Sequence, residues 1–280
     1  MKSRVSELVF RAQSLDVRPL AGGRPPIVLK GLTFDVKRGE QIALIGPSGA
    51  GKTTLLATLA LANEPDAGTL EVFGVQPWEM SSGARHALRK RLFLAPQAPP
   101  LPPRQRVVTA VLAGRLAHWS LWTAIRSLIY PRAAASAHAA LAPFSMEDKL
   151  FSRVDRLSGG ERQRVSMARM LVADVDVMLV DEPLSALDPR LAHQTLASLQ
   201  QQAAGRGATL MCSLHQVELA HAQFPRVIGL REGTIFFDAP RAAVSDEMLA
   251  DLYAGATAPS PPASIEDETP PSLAADARCR

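Results

Sequence analysis

Cysteine is nearly missing from this chain: only Cys212 and Cys279 occur among 280 residues. One lies in an apolar run and the other in the C-terminal segment, which offers neither a disulfide framework nor zinc-site spacing. The histidines His86, His118, His138, His193 and His221 likewise lack the paired spacing of a metal site. No apolar run approaches the roughly 20 residues of a helical membrane span, so none is expected. The opening segment, Met1-Lys2-Ser3-Arg4-Val5-Ser6-Glu7, lacks the hydrophobic centre of a signal peptide, which points to a cytosolic location. A large excess of one charge sign is missing too. A net +4 makes no demand for a nucleic-acid partner, and 47% hydrophobic content is ordinary for a globular protein.

Against that plain background stands Gly46-Pro47-Ser48-Gly49-Ala50-Gly51-Lys52-Thr53, which fits the phosphate-cradling pattern G-x-x-x-x-G-K-[ST]. Its glycines let backbone N–H groups close around the β- and γ-phosphates. Lys52 supplies a point charge to them, and the hydroxyl of Thr53, followed by Thr54, suits Mg²⁺. The apolar run Gln41-Ile42-Ala43-Leu44-Ile45 reads as a buried strand. The segment from Thr53 to Ala60 reads as a helix whose N-terminus faces the phosphates. A second buried-strand run, Val177-Met178-Leu179-Val180, ends in Asp181-Glu182. An Asp at such a strand end holds Mg²⁺ in P-loop enzymes, usually through water. Asp188-Pro189 reads as the N-cap and first residue of a helix that Gly205 closes near Ala204. Thr209 to Ser213 reads as a third strand, with His215 just beyond it.

Along the chain, β-rich stretches near Leu8-Val9-Phe10 and Ile27 to Val36 flank a Gly/Pro/Arg connection, Ala21 to Pro26, that suits a hairpin loop. Gly68 to Gly74 adds a strand. From about 98 to 169 the chain turns helical and rich in Ala, Leu, Arg and Trp, entered through Pro99-Pro100-Leu101-Pro102-Pro103. Residues 170 to about 254 return to α/β alternation, with a hairpin signal at Arg231-Glu232-Gly233. The cluster Arg89-Lys90-Arg91 reads as a solvated helix end. Residues 255–280, rich in Pro, Ala and Ser, read as a disordered tail.

One further motif decides the family. Leu157-Ser158-Gly159-Gly160-Glu161 resembles the signature sequence of ATP-binding cassette (ABC) ATPases, and few other P-loop proteins carry such an element. The resemblance covers roughly residues 7 to 250. It implies a P-loop NTPase (RecA-like) α/β fold: a parallel sheet with an antiparallel β flank and an α-helical subdomain, about 98–169, inserted in a 7–254 domain. It makes Glu182 the general base that polarises the attacking water. Gln97, where the chain leaves the sheet, resembles the Q-loop glutamine that touches metal or water. His215 matches the switch histidine, and Ser185-Ala186-Leu187-Asp188 the D-loop that contacts an opposite subunit. Ser158, Gly159 and Gly160 of a second copy would meet the exposed side of the γ-phosphate.

Two stretches resemble the phosphonate-importer ATPases in particular. These are Val111 to Leu116 with Trp119 to Leu128, and His215-Gln216-Val217-Glu218-Leu219-Ala220. The resemblance implies ATP and Mg²⁺ as ligands and a nucleotide-sandwich dimer with a second copy. It implies transmembrane permease subunits as partners, a solute-binding protein indirectly, and a place on the cytoplasmic face of the inner membrane. An importer for another small solute is the alternative within transport. A soluble ABC ATPase acting on DNA or ribosomes would carry coiled coils, zinc insertions or a second cassette, none of which is legible here. One departure stands out. Family members place an aromatic residue in the N-terminal sheet to stack on adenine, and the nearest counterpart is Val17, followed by Arg18.

No motif residue lies beyond Ala254, and the tail has too little apolar surface to offset its ordering entropy. Truncation after Ala254 is expected to leave ATPase turnover and melting temperature nearly unchanged. A melting temperature lowered by several degrees would show instead that the tail packs on the core.

Overall fold

A computed structural model describes residues 8–19, 25–120, 122–124 and 133–254. The tail at 255–280 and much of the stretch from Trp119 to Leu128 lie outside the described residues. Two sheets carry the fold. A three-stranded antiparallel sheet has the order β2-β1-β4, formed by β1 (Leu8–Val17), β2 (Leu29–Lys37) and β4 (Ala67–Val72). A six-stranded sheet has the order β5-β6-β7-β3-β8-β9. Its strands are β3 (Gln41–Ile45), β5 (Leu92–Ala95), β6 (Val177–Asp181), β7 (Thr209–Ser213), β8 (Arg226–Arg231) and β9 (Thr234–Pro240). The pairings are parallel from β5 through β8, and β9 closes the edge as an antiparallel hairpin partner.

The unbroken apolar runs of β3, β6 and β7 follow from having a core on both faces of the larger sheet. Side chains alternate between faces, so neighbours in sequence enter different cores. Ile42 and Leu44 pack with Val177, Leu179 and Met211 against the antiparallel sheet and the helix α1 (Lys52–Leu59). Ala43 and Ile45 pack with Met178, Val180, Leu210 and Cys212 beneath the helical region. Cys212 is completely buried, and burial pushes its thiol pKa far up. The β8–β9 hairpin turns through Glu232 and Gly233, both at positive φ. Its tip ties the two sheets together, since the Lys30 N–H donates to the Gly233 carbonyl at 2.8 Å.

After α2 (Ser82–Arg89) and β5, the helical region brings α3 (Val107–Leu112), α4 (Ala134–Leu141) and α5 (Gly159–Ala173). Val107 and Val108 donate backbone hydrogen bonds to Ser152 and Leu150, which closes the region onto itself before α5 begins. The chain continues through α6 (Pro189–Gly205), α7 (Val217–Gln223) and α8 (Asp246–Tyr253).

Two local expectations are corrected. Gly205 is the last residue of α6 rather than its terminator. Arg206 caps the helix, and the left-handed residue that reverses the chain is Gly207, at φ 63. The basic cluster is also more than a solvated helix end. Arg89 donates to the Leu61 carbonyl, while Arg91 pairs with Asp176 at 2.6 Å and lies over the Phe73 ring. Those partners come from distant segments, so the local charge pattern could not reveal them.

Candidate active site

The parallel strands all point their C-terminal ends to one edge, where an α/β sheet places its ligands. The chain leaves β3 at Gly46, and the loop to α1 is built on glycines in conformations closed to other residues: φ is 147° at Gly46, 79° at Gly49 and 103° at Gly51. A Cβ on Gly46 would sit 2.0 Å from the Leu230 carbonyl oxygen, so the loop is pressed against β8. Gly51 is the N-cap of α1 and has no side chain to cap it, which leaves the N–H groups of the first turn for an anion. Lys52 is buried, with Nζ donating to the carbonyls of Gly46 (2.7 Å) and Pro47 (3.1 Å). Burial lowers its pKa, and the nearby carboxylates of Glu182 and Asp181 oppose that shift.

Strand order explains the remaining geometry. Asp181 ends β6 and pairs in register with Ser213 at the end of β7, which lies between β6 and β3. The buried Asp181 carboxylate accepts from Ser213 Oγ at 2.5 Å and from Thr53 Oγ1 at 2.8 Å. The bond to Thr53 places a hydroxyl and a carboxylate side by side at the end of the phosphate loop. The hydroxyl–carboxylate pair is hard and oxygen-only, as Mg²⁺ requires.

Glu182 follows at φ 48, a strained conformation for a residue with a side chain. Its N–H is held by Ser213 Oγ at 2.9 Å. Gln97, beyond β5 on one side of β6, donates to Glu182 Oε2 at 2.6 Å. His215, beyond β7 on the other side, bonds Glu182 Oε1 through Nε2. The structure thus gathers Gln97, Glu182 and His215 around one carboxylate. Gln97 makes no hydrogen bond to Thr53 or Asp181 among the described residues.

Ser158, Gly159 and Gly160 open α5 in a capping box. The Ser158 hydroxyl accepts from the Glu161 N–H, and the Glu161 carboxylate accepts from the Ser158 N–H at 2.8 Å. That bond, with further help from Lys149 and Arg164, keeps the Glu161 pKa below its ordinary value. No hydrogen bond joins these residues to the loop Gly46–Thr54 among the described residues. Asp188 caps α6 by accepting from the Leu191 N–H at 3.0 Å. Arg18 is pinned by Asp66 (Nε to Oδ1, 3.0 Å) and by the Pro25 carbonyl (2.8 Å). Val17 beside it is wholly buried in β1.

Three residues went unread in the sequence. Ser213 holds both Asp181 and Glu182, and only its register opposite Asp181 reveals this. Gln163 on α5 reaches the segment after Glu182. Tyr253, at the end of α8, accepts from the Gly46 N–H at 3.2 Å, and burial raises its pKa. Nothing in its local sequence signals a partner far back in the chain.

The arrangement is that of a P-loop ATPase with a signature helix. A family model described as "ABC transporter" matches residues 29–185, more than half of the chain. The chain belongs to the ABC transporter family. It is 58% identical over 236 residues to the phosphonates import ATP-binding protein PhnC of Polaromonas sp. (strain JS666), covering 84% of this chain and 85% of that one. The corresponding protein of Albidiferax ferrireducens is 58% identical over 233 residues, covering 83% of each. Among solved structures, the dimeric bacterial cassette MJ0796 shares the fold with a TM-score of 0.74 at 21% identity, covering 83% of this chain and 98% of that one. The same cassette in a post-hydrolysis state bound to ADP and phosphate gives a TM-score of 0.70 at 20% identity, covering 83% and 98%.

Replacing Tyr253 by Phe leaves the Gly46 N–H without its acceptor while keeping the ring. The expected cost is about 1–3 kcal/mol of stability, read by denaturant titration. ATP affinity should also weaken, because the entry to the phosphate loop loses its anchor. Unchanged stability and affinity would remove Tyr253 from the site's support.

Proposed function

We propose that this chain is the ATP-hydrolysing subunit of an importer for phosphonate or a related oxyanion. It would work as a dimer with a second copy on the cytoplasmic face of the inner membrane, against transmembrane permease subunits served by a solute-binding protein. The observation that carries the import reading is the 58% identity to phosphonates import proteins over more than four fifths of both chains. The side chains needed for hydrolysis gather on one sheet edge and support the ATPase part of the reading. Apolar side chains exposed on the helical region, Leu116, Trp122 and Phe151, offer surface a permease would cover.

The chemistry follows from the chain's own groups. The amides of the glycine loop and the α1 N-terminus cradle the β- and γ-phosphates of ATP, with Lys52 turning from the Gly46 and Pro47 carbonyls toward them. Thr53 and Asp181 would hold Mg²⁺, which would supply positive charge to offset that of the phosphates. Glu182 accepts a proton from the water that attacks the γ-phosphate, and His215 and Gln97 orient its carboxylate and the γ-phosphate side of the site. Ser158, Gly159 and Gly160 from the second copy supply a hydroxyl and helix N-terminal amides to the remaining face of the phosphate. Asp188 lies in the loop that meets the second copy. ATP thereby joins the two subunits, and its hydrolysis lets them part and rocks the permease. The domain takes in residues 7–254, with the helical region carrying the signature and the permease contact.

Import is tested by growth on a phosphonate as sole phosphorus source, with this gene deleted and then restored. Growth that does not depend on the gene overturns the phosphonate assignment. For the chemistry, Glu182→Gln is expected to bind ATP and lower turnover by about 10²- to 10⁴-fold. It should accumulate as an ATP-bound dimer on size exclusion. Near-wild-type turnover would mean that another group is the base.

The adenine pocket generates its own expectation. With no Tyr or Phe next to Val17 in the sequence, the phosphate contacts dominate and cannot read the base, so ATP and GTP should compete nearly equally. Arg18, its guanidinium held by Asp66, is the planar group that follows Val17 in the chain. A strong ATP preference that persists in Arg18→Ala would place the platform elsewhere.

A further inference from the structure

Gln163 stands in the first turns of α5, buried to 6% exposure and just past the signature residues. Its side chain leaves the helical region and enters the loop that follows β6. Nε2 donates to Ser185 Oγ at 2.7 Å and, at longer range, to the Glu182 carbonyl at 3.4 Å. Oε1 accepts from the Ala186 N–H at 3.3 Å. Both halves of one amide are therefore used on the same loop. Gly160 makes the approach still closer. A Cβ there would lie 2.6 Å from Leu187 Cδ2 and 2.8 Å from the Ala186 carbonyl oxygen. Signature end and loop thus meet through a buried polar clamp and a contact that admits no side chain.

We propose that Gln163 is a positioning residue that locks the signature end of α5 to the loop from Glu182 to Asp188. The inference rests on the sandwich-dimer reading above, in which the signature of one copy serves the ATP held by the other. On that reading, α5 belongs to one ATP site and Glu182 to the second. Gln163 is the rigid link between them inside each subunit. Arrival of the partner's ATP at Ser158 to Gly160 then sets the backbone of Glu182, which already sits in a strained conformation. The two sites should fire together because neither signature can move without its own base.

Gln163→Met keeps the volume of the side chain and removes every hydrogen bond of the clamp. The full-length variant is compared with wild type in melting temperature, equilibrium ATP binding, turnover and the Hill coefficient for ATP. Turnover is expected to fall roughly 10- to 100-fold, as for a misplaced catalytic group. ATP affinity should stay within about twofold, and the Hill coefficient should drop toward 1. Ser185→Ala opens the 2.7 Å bond from the other side. It should shift turnover and cooperativity in the same direction, by less, and should not add to Gln163→Met in the double variant. It also serves as the test if the methionine variant fails to fold.

Unchanged turnover and cooperativity in these variants would overturn the proposal. So would an ATP affinity that falls in step with turnover, which would mark Gln163 as structural only. A wild type that neither hydrolyses ATP nor dimerises with it would instead strike down the sandwich reading itself.

Discussion

A carboxylate as buried as Asp181 must find its donors inside the protein, because an unpaired buried charge costs several kcal/mol. Two hydroxyls meet that demand, Ser213 Oγ from the neighbouring strand and Thr53 Oγ1 from the phosphate loop. This single group therefore ties β6, β7 and α1 together at the sheet edge where the chemistry would occur. The parallel register matters most here, since a shift of one residue would turn Ser213 to the opposite face. The loop glycines, the uncapped helix and the strained Glu182 are all arranged around this fixed point.

Glu182 shows the same economy with a different balance. Gln97 and His215 engage its two carboxylate oxygens from opposite flanks, while Ser213 holds its N–H. A carboxylate has about four acceptor sites, so each oxygen keeps one free for water. Its partners stand on segments leaving β5 and β7, the two strands that border β6. Each segment therefore fixes one carboxylate oxygen, which sets the direction in which Glu182 faces an attacking water. The carboxylate's orientation is thus set by the strand order itself.

Much of this was legible in the residues. The runs Gln41–Ile45, Val177–Val180 and Thr209–Ser213 are doubly buried strands, and continuous apolarity betrays them. The phosphate loop was legible because its glycines and Lys52 sit at fixed spacing within a strand–helix context. The N-cap at Asp188 was legible because capping is local. Gly205 was misread since Gly207, two residues on, meets the left-handed requirement better. Arg91, Gln163 and Tyr253 were illegible for a shared reason: each partner is far away in sequence, and no local pattern encodes a contact that only the folded topology creates.

The isolation of Cys212 has an experimental use. Its thiol is wholly enclosed at the middle of the sheet, and burial disfavours the thiolate that would react. Because it packs beneath the helical region, an alkylating reagent can reach it only when that core opens. Its labelling rate in native buffer therefore gauges how often the core between the sheet and the helical region opens. The chain contains its own gauge of local breathing, readable with and without ATP and without adding a foreign probe to the core.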